Sequence, residues 1–263
     1  MYGITASSRV LPDFIVIGFG KAGTTTLYHY LGEHPCIMKS SHDHLGFFDS
    51  NFELGLNFYK SFFPTQSTKN KILKKHGKFL TYDVTASYIR SPSCAKRIFE
   101  TLPKIKLIII CRNPVDVAYS YFNGFSSLPA ELSFDEAIKN EIKIHEDEIK
   151  QSKNYPIDLL EKSFLARGIY AEQLKIWYEL FPKDQLLFIK TEDLEKNPIM
   201  TFNEIFDFLN LSKFTIENFE KQNVGKYAPM KKETRKFLID FYKPHYQKFQ
   251  KLIDKKFGWD EFN

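Results

Sequence analysis

Cysteine is scarce in this chain of 263 residues: only Cys36, Cys94 and Cys111 occur, odd in number and far apart. No disulfide framework and no zinc spacing can be built from them, and Cys36 and Cys111 sit in apolar surroundings that suit small core residues. Long apolar runs are missing too. Nothing approaches the length of a bilayer-spanning helix, and the first residues lack the charged start and apolar core of a secretory signal. A soluble cytoplasmic protein that meets no membrane is therefore expected. There is no internal repeat, no low-complexity segment and no linker that would mark a second domain. Nor is there much charge of one sign: 37 Lys and Arg stand against 32 Asp and Glu, a net +5. That suits an anionic ligand but is too weak a bias to argue for nucleic acid. Aromatic side chains, by contrast, are plentiful. With 26 Phe and 14 Tyr they reach 16% of the chain, and hydrophobic residues reach 43%. One α/β domain over 1–263 with an aromatic-rich core follows, with 1–12 as a loose leader.

Apolar runs alternate with amphipathic segments along the chain. Strands are expected at Phe14–Ile17, Lys78–Asp83, Lys106–Cys111 and Gln185–Lys190, with a short extended segment and loop over 36–50. Leu107-Ile108-Ile109-Ile110 is continuously apolar, the pattern of a central parallel strand. Helices are expected at Thr24–His34, Leu56–Phe62, Ser93–Leu102, Pro114–Phe125, Ser133–Lys150, Tyr170–Leu180, Asn197–Leu209, Lys231–Tyr242 and Pro244–Lys256. Ser133 and Glu136 form a capping-box pair. The lysines of 66–78 (Lys71, Lys74, Lys75, Lys78) read as a solvated helix face rather than a polymer-binding patch. The alternation predicts a central parallel sheet with helices on both faces; it does not give the strand order.

Two segments carry chemistry. In the first, the apolar run ending at Ile17 opens into Gly18-Phe19-Gly20-Lys21-Ala22-Gly23-Thr24-Thr25-Thr26 and then a helix. Glycines let backbone N–H groups approach an anion, the helix N-terminus favours negative charge, and Lys21 adds a mobile cation. A phosphate or sulfate is expected there. An ATP-binding Walker loop places its lysine after the last glycine; here Lys21 comes two residues before Gly23 and none follows. In the second, Arg112 follows a buried strand and Ser120 lies on the next helix. Arginine offers a planar fork of donors to a phosphate, and serine adds a neutral hydroxyl.

Together these segments resemble sulfotransferases that use 3'-phosphoadenosine-5'-phosphosulfate, closest to the bacterial and heparan-sulfate type. The resemblance covers roughly Pro12 to Asp260 and implies the P-loop-kinase-like sulfotransferase fold. It implies that Lys21, Ala22, Gly23, Thr24, Thr25 and Thr26 hold the 5'-phosphosulfate end of the donor. By the same resemblance, Arg112 and Ser120 bind the 3'-phosphate, Tyr170 belongs to the cofactor site, and Gly225 and Lys226 close over the 3'-phosphate. Arg167-Gly168-Ile169-Tyr170 matches the family's substrate-side helix start. No metal is implied, since side-chain cations and backbone dipoles can stabilise the transferring group.

The chain departs from its relatives at the base. The heparan-sulfate type places a glutamate three residues before a Phe-Phe pair; here the pair is Phe47-Phe48 and His44 takes that place. Imidazole, with an ordinary pKa near 6.5, is a competent base at neutral pH. His44 is therefore the expected base, with Asp43, His42 and Asp83 as alternatives. Where those relatives have Glu-Lys-Ser, this chain has Asp83-Val84-Thr85, so the assisting lysine is absent. Asp83 then either orients His44, binds the acceptor or caps a strand. Acceptor contacts are expected from His42, Asp43, Phe48, Tyr88 and Arg167, and Asp49 and Glu131 are further acids for a cationic acceptor. The expected acceptor is a small molecule, such as a polar nitrogen-rich metabolite, offering a hydroxyl or amine. The alternatives are a glycan O- or N-sulfotransferase, a nucleotide kinase, or an inactive nucleotide-binding module.

Overall fold

Short runs of branched and aromatic residues pair in parallel to form a single sheet. The strands are β1 (Phe14–Gly18), β2 (Ile37–Lys39), β3 (Leu80–Val84), β4 (Lys106–Cys111) and β5 (Leu186–Lys190). Their order is β2-β3-β1-β4-β5, and every pairing is parallel. The structure is a computed structural model that describes residues 5–124, 132–151, 163–220, 222, 225, 227–254 and 256–262. Phe14 lies in register with Tyr82 on one side and Lys106 on the other. All five residues of β1 are buried, as are the last five of β4, so both faces of the central strands are covered. The chain leaves β1 toward β2 and leaves β4 toward β5. The carboxyl ends of β1 and β4 therefore form a topological switch point, where open α/β sheets bind ligands.

The helices, in chain order, are α1 (Thr24–Leu31), α2 (Phe47–Ser50), α3 (Gly55–Lys60), α4 (Gln66–His76), α5 (Pro92–Thr101), α6 (Pro114–Gly124), α7 (Phe134–Gln151), α8 (Tyr170–Leu180), α9 (Thr191–Lys196), α10 (Pro198–Phe208) and α11 (Lys232–Ile253). The residues sort into two compact units, 1–111 with 178–223 and 112–177 with 224–263. The first unit contains the whole sheet. Its core includes Phe14 stacked on Tyr82 at 5.1 Å, and the Tyr82 hydroxyl donates to the Tyr28 carbonyl at 2.6 Å. In the second unit Tyr170, Tyr242, Tyr246, Phe249 and Trp259 are buried.

Several expectations change. The two helices expected at Lys231–Tyr242 and Pro244–Lys256 are one helix, α11, with Pro244 inside it. A buried stripe at Leu238, Tyr242, Tyr246, Phe249 and Ile253 runs past the proline, and its packing offsets the single lost backbone bond. α9 is too short to show a helical period and was not expected. The leader is not loose where it is described: Ala6 is buried, the Arg9 guanidinium donates to the Phe63 carbonyl at 2.5 Å, and Val10 N–H donates to Pro64 at 3.1 Å. The expected helix end at Phe125 and the acid Glu131 lie outside the described residues. Among the described residues, no helix is long and apolar enough to cross a membrane, and no cluster of three metal-ligating side chains occurs. Cys36, Cys94 and Cys111 are buried and form no disulfide among the described residues.

Candidate active site

The loop after β1 leads through a glycine cap directly into α1. Gly23 has φ 105°, a conformation that glycine alone takes without strain, and it caps α1 without a side chain. The first amides of α1 thus have no side-chain acceptor from their cap. Lys21 is exposed and also left-handed, at φ 64°. Ala22 is buried, Thr24 and Thr25 are half-buried, and Thr26 is buried. The loop is pinned from below. Phe19 N–H donates to the Ile110 carbonyl of β4 at 2.6 Å. The Thr191 hydroxyl lies 2.6 Å from the Ala22 carbonyl and 3.0 Å from that of Cys111, so one side chain just beyond β5 ties the Lys21 loop to the end of β4. Thr191 was missed by the sequence reading, because a threonine after a strand has no local signature.

His44 lies at the carboxyl end of β3. Its N–H donates to the Val84 carbonyl at 2.7 Å, and its side chain is exposed beside exposed His42 and half-buried Asp43. His44 too is left-handed, at φ 59°. Five described non-glycine residues have positive φ: Lys21, His44, Asn210, Asn218 and Asp254. Asn, Asp and His take that conformation more readily than other residues, whereas for a lysine it is costly. Lys21 is therefore the most strained of the five, and backbone strain of this kind concentrates at functional sites.

Asp83 sits beneath this loop. It is completely buried, and its carboxylate accepts from the hydroxyls of Thr85 at 2.7 Å, Tyr59 at 2.9 Å and Tyr88 at 3.1 Å. Burial pushes its pKa up to about 6, opposed by those three hydrogen bonds and aided by the nearby Asp49 charge. The Tyr88 oxygen in turn accepts from Phe47 N–H at 2.8 Å and Phe48 N–H at 3.3 Å, and Ser87 donates to Asp49 at 2.5 Å. Asp83 thus anchors the segment that follows His44, an arrangement for positioning rather than for meeting an acceptor. Phe48 and Tyr88, expected to touch the acceptor, are fully buried. Phe47 stacks on Tyr59 at 4.4 Å, and Phe48 packs against Tyr59 at 5.1 Å and Tyr88 at 5.6 Å. These aromatic rings pack against one another in the core.

In the second unit, Arg112 follows β4 directly and is half-buried. The Tyr170 hydroxyl donates to its carbonyl at 2.6 Å, so buried Tyr170 fixes the turn through its oxygen. Ser120 is half-buried on α6. Its neighbour Tyr119 donates to the Ala228 carbonyl at 2.7 Å and packs on Tyr227 at 5.2 Å, which brings residues 227 and 228 to the Ser120 helix. Gly225 is exposed, and a Cβ there would lie 2.3 Å from the Tyr227 ring. Lys226 lies outside the described residues. The Arg167 guanidinium lies 4.3 Å from the centre of the Tyr121 ring. Nearby, Glu141 accepts from the N–H groups of Phe164 at 3.0 Å and Leu165 at 2.9 Å, and from the Ser163 hydroxyl at 2.6 Å.

Known proteins are similar to this chain. A family described as the sulfotransferase domain matches residues 11–255. The chain is 28% identical to the membrane-associated sulfotransferase kil1 of Dictyostelium discoideum, over 95% of this chain and 66% of that protein. It is 30% identical to the human bifunctional heparan sulfate N-deacetylase/N-sulfotransferase 3, over 93% of this chain but only 30% of that protein. A sulfotransferase from Alicyclobacillus acidocaldarius shares the fold, with TM-score 0.68, 24% identity, and coverage of 94% of this chain and 97% of that one.

Proposed function

Given that the chain belongs to the sulfotransferase domain family, we propose that it moves a sulfuryl group from 3'-phosphoadenosine-5'-phosphosulfate to a hydroxyl or amine, leaving adenosine 3',5'-bisphosphate. The observation that carries this reading is the loop at the switch point. There a strained, exposed Lys21 precedes a helix whose first turn has no side-chain cap. These groups fit the donor's 5'-phosphosulfate, and Arg112 with Ser120 fits its 3'-phosphate. The acceptor oxygen or nitrogen forms a bond to sulfur as the bond from sulfur to the phosphate oxygen breaks. Lys21 meets the charge that develops on that leaving oxygen, a role realised mainly in the transition state. His44 accepts the acceptor's proton from its exposed position on the strained loop.

Two acceptor classes follow from different observations. A sulfated glycan is favoured by the relatives named for heparan sulfate. A small polar molecule is favoured by the acids near His44, Asp43 and Asp49. Three buried cysteines that form no disulfide among the described residues support a reducing, cytoplasmic setting, whereas kil1 is named as membrane-associated. The test is transfer of labelled sulfate from the donor to a panel holding heparosan-type oligosaccharides beside small alcohols and amines. Label on any of them, lost with Lys21→Asn, supports the reading. No transfer to any acceptor, together with phosphoryl transfer from ATP, refutes it.

A further inference from the structure

Two tethers reach the turn that carries Arg112, and both lead to the segment 256–262. The first is Tyr170, whose hydroxyl donates to the Arg112 carbonyl and whose ring packs 6.3 Å from Trp259 and 5.4 Å from Phe249. The second is Asn113. Its side-chain oxygen accepts from Val115 N–H at 3.0 Å in the first turn of α6, and its amide donates to the Glu261 carboxylate. Glu261 is itself gripped by Arg235 of α11. Nε donates to Oε2 at 3.1 Å, and Nη2 lies 3.1 Å from Oε1 and 3.0 Å from Oε2. The remaining arm of Arg235, Nη1, donates to Asp116 of α6 at 2.8 Å. The segment is seated by its rings. Trp259 and Phe262 are buried and lie 5.3 Å and 4.9 Å from Tyr246, and Trp259 N–H donates to the Tyr246 oxygen at 3.4 Å.

Each half-exposed ion pair alone contributes little to stability. Their geometry does something else. The carbonyl of Arg112 and the side chain of the next residue are both held, so the backbone that aims the Arg112 guanidinium has little freedom left. An arginine fork pre-set in this way loses less conformational freedom when it meets a phosphate. Arg235 also neutralises Glu261, so that its carboxylate can sit close to an anion site without repelling the anion. Glu261 lies beyond the 11–255 that the family shares.

We infer that Glu261 is a positioning residue: clamped by Arg235, it holds the Arg112 turn through Asn113 and thereby sets this protein's selectivity for a 3'-phosphate. The inference rests on the reading of Arg112 given above. The test is calorimetric titration of the full chain and of Glu261→Ala and Glu261→Gln with two probes, adenosine 3',5'-bisphosphate and adenosine 5'-monophosphate. In Glu261→Ala the bisphosphate affinity falls about tenfold while the monophosphate affinity stays within about twofold, so selectivity collapses. Glu261→Gln keeps an oxygen for Asn113 but loses the charge that Arg235 grips, and it falls between the two. If the alanine variant does not fold, the glutamine variant carries the test. An unchanged ratio of affinities, or equal weakening toward both probes, overturns the inference. A wild-type chain with no preference for the bisphosphate overturns the reading of Arg112 itself, and the inference with it. A preference left undiminished by both substitutions overturns the inference alone.

Discussion

Replacing Asp83 with asparagine isolates the buried group on which the His44 segment hangs. The carboxyl is completely buried and takes three hydroxyl hydrogen bonds, from Thr85, Tyr59 and Tyr88. Burial raises its pKa from 3.8 to about 6. A raised carboxyl pKa means that the folded chain holds a proton that the unfolded chain has released. The resulting stabilisation is fully present below pH 3.8 and is lost as pH rises through about 6. A shift of about two units corresponds to roughly 3 kcal/mol across that window. Asparagine cannot ionise, so the Asp83→Asn variant lacks this slope. The variant is therefore expected to lose stability relative to wild type at pH 4, where the native carboxyl is protonated. It regains about 3 kcal/mol of the difference by pH 7. Urea denaturation at several pH values, read as the difference between the two proteins, measures it. Parallel stability profiles between pH 4 and 7 would refute the reasoning.

The functional site yields the remaining predictions. Lys21→Asn keeps a residue that tolerates the left-handed backbone, so its effect reports on charge: turnover falls on the order of 10²-fold or more, and bisphosphate binding stays within about tenfold, by initial rates and calorimetry. His44→Ala lowers turnover by about 10²–10⁴-fold without weakening bisphosphate binding, and His44→Glu restores part of it; near-normal rates in His44→Ala would move the base to Asp43 or His42. Arg112→Ala weakens bisphosphate binding by roughly 1.5–3 kcal/mol, the scale of a charge-assisted hydrogen bond, as calorimetry would show. Thr191→Val removes the hydroxyl that ties the Ala22 and Cys111 carbonyls and costs about 0.5–1.5 kcal/mol of stability, the net worth of a hydrogen bond, seen as an earlier urea midpoint.

What could be read from the sequence was what local pattern encodes. β4 at Lys106–Cys111 and α8 at Tyr170–Leu180 lie where their apolar spacing puts them. The capping box closes as expected: the Ser133 backbone N–H donates to Glu136 at 3.0 Å, and Glu136 N–H donates to the Ser133 hydroxyl at 3.3 Å. The Lys21 loop and the His44 loop stand at strand ends, because a glycine-broken turn after an apolar run has few other places to go. Contacts that join distant residues left no trace. Thr191 reaches Ala22 across 169 positions, and Asn113 reaches Glu261 across 148. Strand order was likewise silent, because parallel neighbours are not neighbours in sequence. The burial of Phe48 and Tyr88 was not legible either, because a ring that packs against other rings has the same composition as a ring that packs against a ligand.

The central proposal is that this chain binds an adenosine carrying phosphates at both its 3' and 5' positions. Titrating the purified chain in a calorimeter with adenosine 3',5'-bisphosphate, and separately with ATP and magnesium, tests this without knowledge of the acceptor. Saturable one-to-one binding of the bisphosphate, at least about a hundredfold tighter than ATP with magnesium, is the expected result. Tight binding of ATP with magnesium and none of the bisphosphate would contradict it.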